Sequence, residues 1–188
     1  SKRIRSLKLR NIKLILGGKN RQQSALNALK YLIKNKGITK VLIHDVARPN
    51  FSLKLLKTIV SKMRSYKAVV PKTNINDAIK QKIDSSLSEY ILGKNRDNLF
   101  LTQTPQAFKL NEIYQLHKAN SDKYKDDDIS LYMDLNKVKF IEGEKNNFKI
   151  TDWSDFENLR NIYRSKQNVG IGFDVHRLVP KRKLYLAG

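Results

Sequence analysis

The chain has 188 residues, 40% of them hydrophobic and 29% charged, and contains no cysteine. That length can bury one sizeable core with little left for a second, and the lack of cysteine excludes disulfides and thiolate metal ligands. A formal net charge of +21 suits anionic partners. Lysine is nevertheless scattered through every segment, arginine is sparse, and no helix-turn-helix, zinc-finger or aromatic RNA-binding signature accompanies the charge. Nucleic acid is therefore not the expected partner. No apolar run reaches the length of a membrane-spanning helix, and the basic N-terminus precedes no apolar signal segment, so a cytoplasmic setting is expected.

Short apolar runs alternate with amphipathic stretches, which predicts an α/β fold. Lys13 to Leu16 reads as a strand, and Arg21 to Lys34 as a helix with Leu26, Leu29 and Ile33 on its apolar face. Ile38 to His44 reads as a strand buried on both faces, as in a parallel sheet. Ser52 caps a helix running to Tyr66, and Ala68 to Val70 form a strand stopped by Pro71. The polar stretch from Lys72 to Asn98 reads as an extended arm or hairpin. Leu99 to Leu101 form a strand and Asn111 to Ala119 a helix. Asp126 to Asp128 then precede a helix from Ile129 to Leu135, where carboxylates suit an N-terminus. Val138 to Ile141 and Phe148 to Ile150 read as strands. Asp152 caps a last helix to Arg164, with Asp155 at the capping-box position. Residues 165–168 read as a linker, and Val169 to Val175 as the first strand of a second domain.

Three groups of residues carry chemistry. His44-Asp45-Val46-Ala47-Arg48-Pro49 closes the expected inner strand, and open α/β sheets bind ligands outside the carboxyl ends of their strands. Asp45 can address a sugar hydroxyl or a metal-bound phosphate, and Arg48 an anionic acceptor. An Asp–Arg pair that only stabilises a tight turn is the plainer reading. Gly17-Gly18-Lys19-Asn20-Arg21-Gln22-Gln23-Ser24 leads into a helix without the Gly-Lys-Ser/Thr ending of a Walker A loop. Its glycines allow a planar base to approach and Ser24 can hydrogen-bond it, although an ordinary strand–helix turn fits equally well. Asp174 and His176 lie two apart on the last strand and share a face, which supplies half of a tetrahedral Zn²⁺ site.

Taken in order, these turns join Gln-Thr-Pro-Gln (103–106), the acidic run, Glu142-Gly143 and Asn147-Phe148-Lys149-Ile150-Thr151. Over residues 11–164 this succession resembles the 2-C-methyl-D-erythritol 4-phosphate cytidylyltransferases of the non-mevalonate isoprenoid pathway. The resemblance implies a Rossmann-like nucleotidyltransferase with a mostly parallel sheet and an extended dimerisation arm. It also implies transfer of CMP from CTP to methylerythritol phosphate, with Mg²⁺ and release of pyrophosphate. In such a transfer the protein chiefly positions groups and neutralises charge. Carried over by motif, Gly18 and Ser24 would lie near the cytosine and Asp45 near the ribose and acceptor. Arg48 would belong to the acceptor pocket, and Thr104 would lie close to Arg96. Arg96 would position the acceptor phosphate and Lys149 would hold the reacting phosphates. An arm that reaches a partner subunit implies a homodimer.

The chain departs from the family pattern at Ala78 and at Asp126, where threonine is usual, and both positions belong to the acceptor pocket. The family's N-terminal Gly-rich loop, with its catalytic arginine and lysine, lies outside the chain. Val169-Gly170-Ile171-Gly172-Phe173-Asp174-Val175-His176 resembles the start of the 2-C-methyl-D-erythritol 2,4-cyclodiphosphate synthases, in which this Asp and His bind Zn²⁺ or a similar divalent metal with a further histidine downstream. The combined expectation is a cytidylyltransferase domain over 1–164, a linker at 165–168, and the start of a cyclase domain, its first strand included, over 169–188. That makes the chain an internal piece of a bifunctional enzyme, without turnover on its own. The alternatives are a sugar-nucleotide transferase of the same fold and a basic nucleic-acid-binding module.

Overall fold

The computed structural model describes residues 12–82, 90–91, 95–121, 125–132 and 135–164. The chain divides into two compact units, Ser1–Thr151 and Asp152–Gly188. The first contains α1 (Arg21–Leu32), β1 (Lys40–Ile43), α2 (Leu53–Lys62), β2 (Ala68–Asn74), β3 (Gln81–Lys82), β4 (Tyr90–Ile91), β5 (Phe100–Thr102), β6 (Gln106–Lys109), α3 (Leu110–Ala119) and β7 (Val138–Glu142). The described part of the second unit is α4 (Trp153–Arg164) and its cap. There Asp152 Oδ1 accepts from Asp155 N at 3.0 Å and Asp152 N donates back to Asp155 Oδ2 at 3.4 Å, the reciprocal capping box expected from the sequence.

β2 is the axis of the main sheet. β7 pairs with it in parallel along one edge, from Ala68↔Val138 to Lys72↔Glu142. Along the other edge β6 and then β5 pair with it antiparallel, at Val69↔Ala107 and Thr73↔Leu101, and β1 continues outward from β6. β1, β2 and β7 therefore share a direction, but only β2–β7 is a parallel ladder. The expected mostly parallel sheet is a mixed one, because β6 runs back between β1 and β2.

Side chains along β2 alternate between two cores, as strand pleating requires. Ala68 and Val70 pack with Leu29 of α1, Ile113 of α3 and Phe108. Val69 faces the other way, onto Leu55 and Ile59 of α2 and Met63 at its C-cap. Helices on both faces bury the first four residues of β2, Ala68 to Pro71, and each such valine contributes about 1.5–3 kcal/mol. The most buried strand is thus β2 and not the one ending at His44. In β1, Val41 and Ile43 reach the first core while Leu42 on the opposite face is 39% exposed.

Four further expectations are corrected. β2 does not stop at Pro71 but runs through it. The Pro71 carbonyl accepts from Gln103 N at 2.8 Å, opposite the break between β5 and β6, where the missing proline N–H interrupts no ladder pair. Residues 13–16 form no strand: they have no ladder partner among the described residues, and Leu16 is 88% exposed. Residues 148–150 are likewise irregular, joined to the β1 turn by Ile150 N donating to Ala47 O at 2.8 Å. Ile129 to Leu135 is not one helix but a 3-10 turn at Ile129–Leu131, followed by another at Leu135–Lys137. The first turn is capped from outside, Gln106 Oε1 accepting from Ile129 N and Asp127 Oδ1 from Ser130 N. Within the stretch expected as an arm, Lys72 to Asn74 belong to β2 instead, and Gln81↔Ile91 and Lys82↔Tyr90 pair in β3–β4.

Candidate active site

The turn after β1 is held by side chains from distant segments. Arg48 N donates to Asp45 O at 2.9 Å and closes the turn. Thr104 Oγ1 accepts from Asp45 N at 3.0 Å and lies 3.0 Å from His44 Nδ1. Because the Arg48 carbonyl can only accept, His44 Nε2 donates to it at 2.9 Å, and Nδ1 of the neutral ring accepts from the Thr104 hydroxyl. Burial lowers the His44 pKa, in keeping with this neutral ring.

The same turn captures the segment that bears Lys149. Arg48 Nη1 donates to Asn147 O at 2.8 Å, and fully buried Asn147 donates from Nδ2 to Thr104 O at 2.9 Å and to Gln103 Oε1 at 3.3 Å. Gln103 also exchanges two hydrogen bonds with the Glu144 backbone. Lys149 Nζ is thereby brought to 3.5 Å from Asp45 Oδ2. The other oxygen, Oδ1, receives Arg21 Nε at 3.1 Å. Burial alone would raise the Asp45 pKa, but Arg21 and Lys149 outweigh it and hold the carboxyl below its usual range. Arg48 has the opposite balance: burial lowers its pKa against the attraction of Asp45.

Arg21 also reaches inward, with Nη2 2.6 Å from Asp128 Oδ2, while Asp128 Oδ1 lies 2.9 Å from Nε2 of buried His117. For Arg21, burial works against the charge and the two aspartates more than compensate, so its pKa is raised. Asp127, the next carboxylate, accepts from Thr102 Oγ1 and Gln106 Nε2 and meets no cation in the network.

Asp45, Arg48, Thr104 and Lys149 line one open cavity of about 520 Å³, together with Arg21 and Asp127. Phe100, Ile129, Tyr132 and Phe140 give it an apolar wall. A second cavity of about 640 Å³, reached by Asn76, Glu142 and Lys145, shares Arg48, Thr102 and Lys149 with the first. Cations at the shared wall suit phosphate groups in either space. Four of the expected site residues thus converge. Gly18 and Ser24 sit together in the turn before α1, where Gly18 N donates to Ser24 Oγ at 2.9 Å. A Cβ on Gly18 would stand 2.6 Å from Gln23 Cβ, so the turn needs glycine there. Arg96 lines neither cavity, unlike Thr104, the residue expected beside it, although its partner Asn76 lies on the wall of the second. Arg96 is exposed, and its Nη1 donates to the carbonyl of Asn76 at 2.6 Å. Asp174 and His176 lie outside the described residues.

Sequence reasoning did not single out Arg21, Gln103, Asn147 or Asp128, although each stands inside one of the motifs it quoted. His117 carries no such signal; an amphipathic helix presents it as one more inward-facing residue.

A sequence profile described as "IspD: 2-C-methyl-D-erythritol 4-phosphate cytidylyltransferase" matches residues 1–165. A "Bifunctional enzyme IspD/IspF" of Pelagibacter ubique is 43% identical over 185 residues, covering 98% of this chain and 47% of that protein. Another, from Ruegeria pomeroyi, is 34% identical and covers 92% and 45%. The chain spans about half the length of the curated relatives it matches. Among solved structures, the 4-diphosphocytidyl-2C-methyl-D-erythritol synthase of Anaerococcus prevotii superposes with a TM-score of 0.72 at 32% identity, covering 88% of this chain and 73% of that one. The 2-C-methyl-D-erythritol 4-phosphate cytidylyltransferase of Thermus thermophilus gives 0.67 at 26% identity, covering 83% and 79%.

Proposed function

The chain belongs to the 2-C-methyl-D-erythritol 4-phosphate cytidylyltransferase family, and from that membership we propose that the protein carrying it transfers CMP from CTP to 2-C-methyl-D-erythritol 4-phosphate. An acceptor phosphate oxygen attacks the α-phosphorus, the bond to the β-phosphate oxygen breaks, and pyrophosphate leaves. The observation that supports this reading most is the convergence of Asp45, Arg48 and Lys149 in one cavity from segments far apart in the chain. Lys149 and Arg48 would neutralise the phosphates, Asp45 would accept from acceptor or ribose hydroxyls, and Gly18 and Ser24 would lie against the cytosine. Arg96, on the segment after the hairpin, would meet the acceptor phosphate of a second subunit, so the active protein is a homodimer. Sedimentation showing only monomer at micromolar concentration would count against that arrangement.

Among the described residues no group of three His, Cys, Asp or Glu could cage a metal. The donors that line the cavity fit Mg²⁺ instead, since that ion takes one or two carboxylates with substrate phosphates and keeps several waters. Asp45 would be its protein ligand, and the ion would offset charge on the triphosphate. Beyond residue 168, Asp174 and His176 would supply a carboxylate and an imidazole to Zn²⁺ or a similar metal in a cyclodiphosphate synthase domain. The protein would work in the cytoplasm, and no described helix is long and apolar enough to cross a membrane.

The test is pyrophosphate release from CTP in the presence of methylerythritol phosphate. Lys149→Met should lower the rate on the order of a hundredfold or more, as loss of one positioned charge in a transfer site does. Equal or faster turnover of a hexose 1-phosphate would favour a sugar-nucleotide transferase instead.

A further inference from the structure

We propose that Asp128, braced by His117, is a positioning residue that keeps Arg21 on Asp45 while Lys149 is drawn toward the reacting phosphates. This rests on the CMP-transfer reading above. Asp45 has one cation on each oxygen, Arg21 at 3.1 Å and Lys149 at 3.5 Å. The two are not held alike. Lys149 is a point charge on a flexible stem, its side chain 46% exposed, with Asp45 as its one ion pair among the described residues. Arg21 is a planar fork whose far nitrogen is fixed by Asp128 at 2.6 Å.

Asp128 cannot turn with it, since the carboxylate is 1% exposed and its second oxygen is occupied by His117. His117 is itself fully buried in α3, lines neither cavity, and has no partner for Nδ1 among the described residues. Its one polar contact there is the carboxylate. Stability alone does not explain such a set, because apolar residues of similar volume commonly replace buried ion pairs without loss. Direction does. When Lys149 leaves Asp45 Oδ2 for a phosphate, that oxygen becomes free for a substrate hydroxyl only if the other stays pinned. An unbraced Arg21 would swing to the same phosphates and release Asp45 as well.

The experiment uses this chain for heteronuclear NMR and the protein that carries it for kinetics. In the wild type the Arg21 Nε–H resonance should be protected from exchange. In Asp128→Asn and His117→Leu its exchange should quicken about tenfold or more, the scale of one lost hydrogen bond to a charged group. His117→Gln, which still offers an N–H to Asp128, should retain most of the protection. In kinetics, Asp128→Asn should raise KM for methylerythritol phosphate about tenfold and change KM for CTP by less than about twofold. Arg21→Lys lies near the surface, keeps the charge but cannot span both aspartates, and should show the same split if Asp128→Asn fails to fold. An unchanged Arg21 resonance in the folded Asp128→Asn protein would overturn the proposal, and so would a lower kcat with both KM values intact. If the wild type released no pyrophosphate from CTP, the transfer reading would fall, while the exchange measurement would still decide whether the brace exists.

Discussion

In the turn before α1, the amides of Gly18, Lys19 and Gln23 donate to side chains no more than six positions away. In the turn after β1, Asp45 N and Arg48 Nη1 donate across 59 and 99 positions. The first turn carries its own instructions, and its glycines, Asn20 and Ser24 make the shape wherever the helix begins. The second is closed locally by Arg48 N on Asp45 O, but its side chains are placed by the break between β5 and β6, which delivers Gln103 and Thr104, and by the segment after β7. A substitution far from Asp45 can therefore move Asp45, whereas the amides of the first turn depend on side chains close by in sequence.

The largest effect separating the two turns should come from Asn147→Ala. It removes both side-chain bonds that join Thr104 and Gln103 to the Lys149 segment, at a cost of about 2–3 kcal/mol. The midpoint of urea unfolding measures this, and transfer activity should fall with it because Lys149 is displaced. Thr104→Val keeps the shape but leaves Asp45 N and His44 Nδ1 without their partner. It should cost about 1–2 kcal/mol and lower the transfer rate on the order of tenfold or more through misplacement of Asp45. Asn20→Ala tests the local turn. It loses the N-cap bond to Gln23 N, worth about 1 kcal/mol, and chemical shifts at Thr104 and Asn147 should not change. A shift there as large as that of Thr104→Val would erase the distinction between the turns.

The smallest effect is absent at neutral pH and appears only on acidification. Burial sets the His44 pKa below its ordinary 6.5. The unfolded chain therefore takes up that proton first, and stability should begin to fall as pH drops below about 6.5. Asp45 and Asp128 follow at lower pH. Burial pushes both up, but their hydrogen bonds from Arg21, with His117 also on Asp128, hold both below 3.8. Their contribution is complete above the unfolded value and is lost as pH falls through the folded one. Two steps in unfolding midpoint against pH are expected. His44→Asn should remove the upper step and leave the lower.

Local signals in the sequence were legible. Ser52 caps α2, Asp152 and Asp155 cap α4, and the apolar spacing of α1 and α3 marks the faces that meet the first core. Asp45, Arg48 and Lys149, which the motifs singled out, line one cavity. What sequence reading lacked was pairing. Val41-Leu42-Ile43 and Ala68-Val69-Val70 are equally apolar, but β6 alone flanks the first among the described residues while two partners flank the second. Pro71 stops a strand only if its nitrogen faces a ladder, and here it faces a break. His117 and Asp128 are eleven positions apart with helix and loop between them, so no periodicity joins them.

Arg48, Thr102 and Lys149 belong to the walls of both cavities. A molecule in either space takes up hydrogen-bonding capacity and charge that the other would use. The two compartments are therefore thermodynamically linked rather than independent. By whatever factor an occupant of one alters affinity in the other, the second occupant must alter the first by the same factor. An anion drawing Lys149 to its own side would weaken its neighbour, and a molecule bridging the wall would bind as one ligand with the strength of two sites.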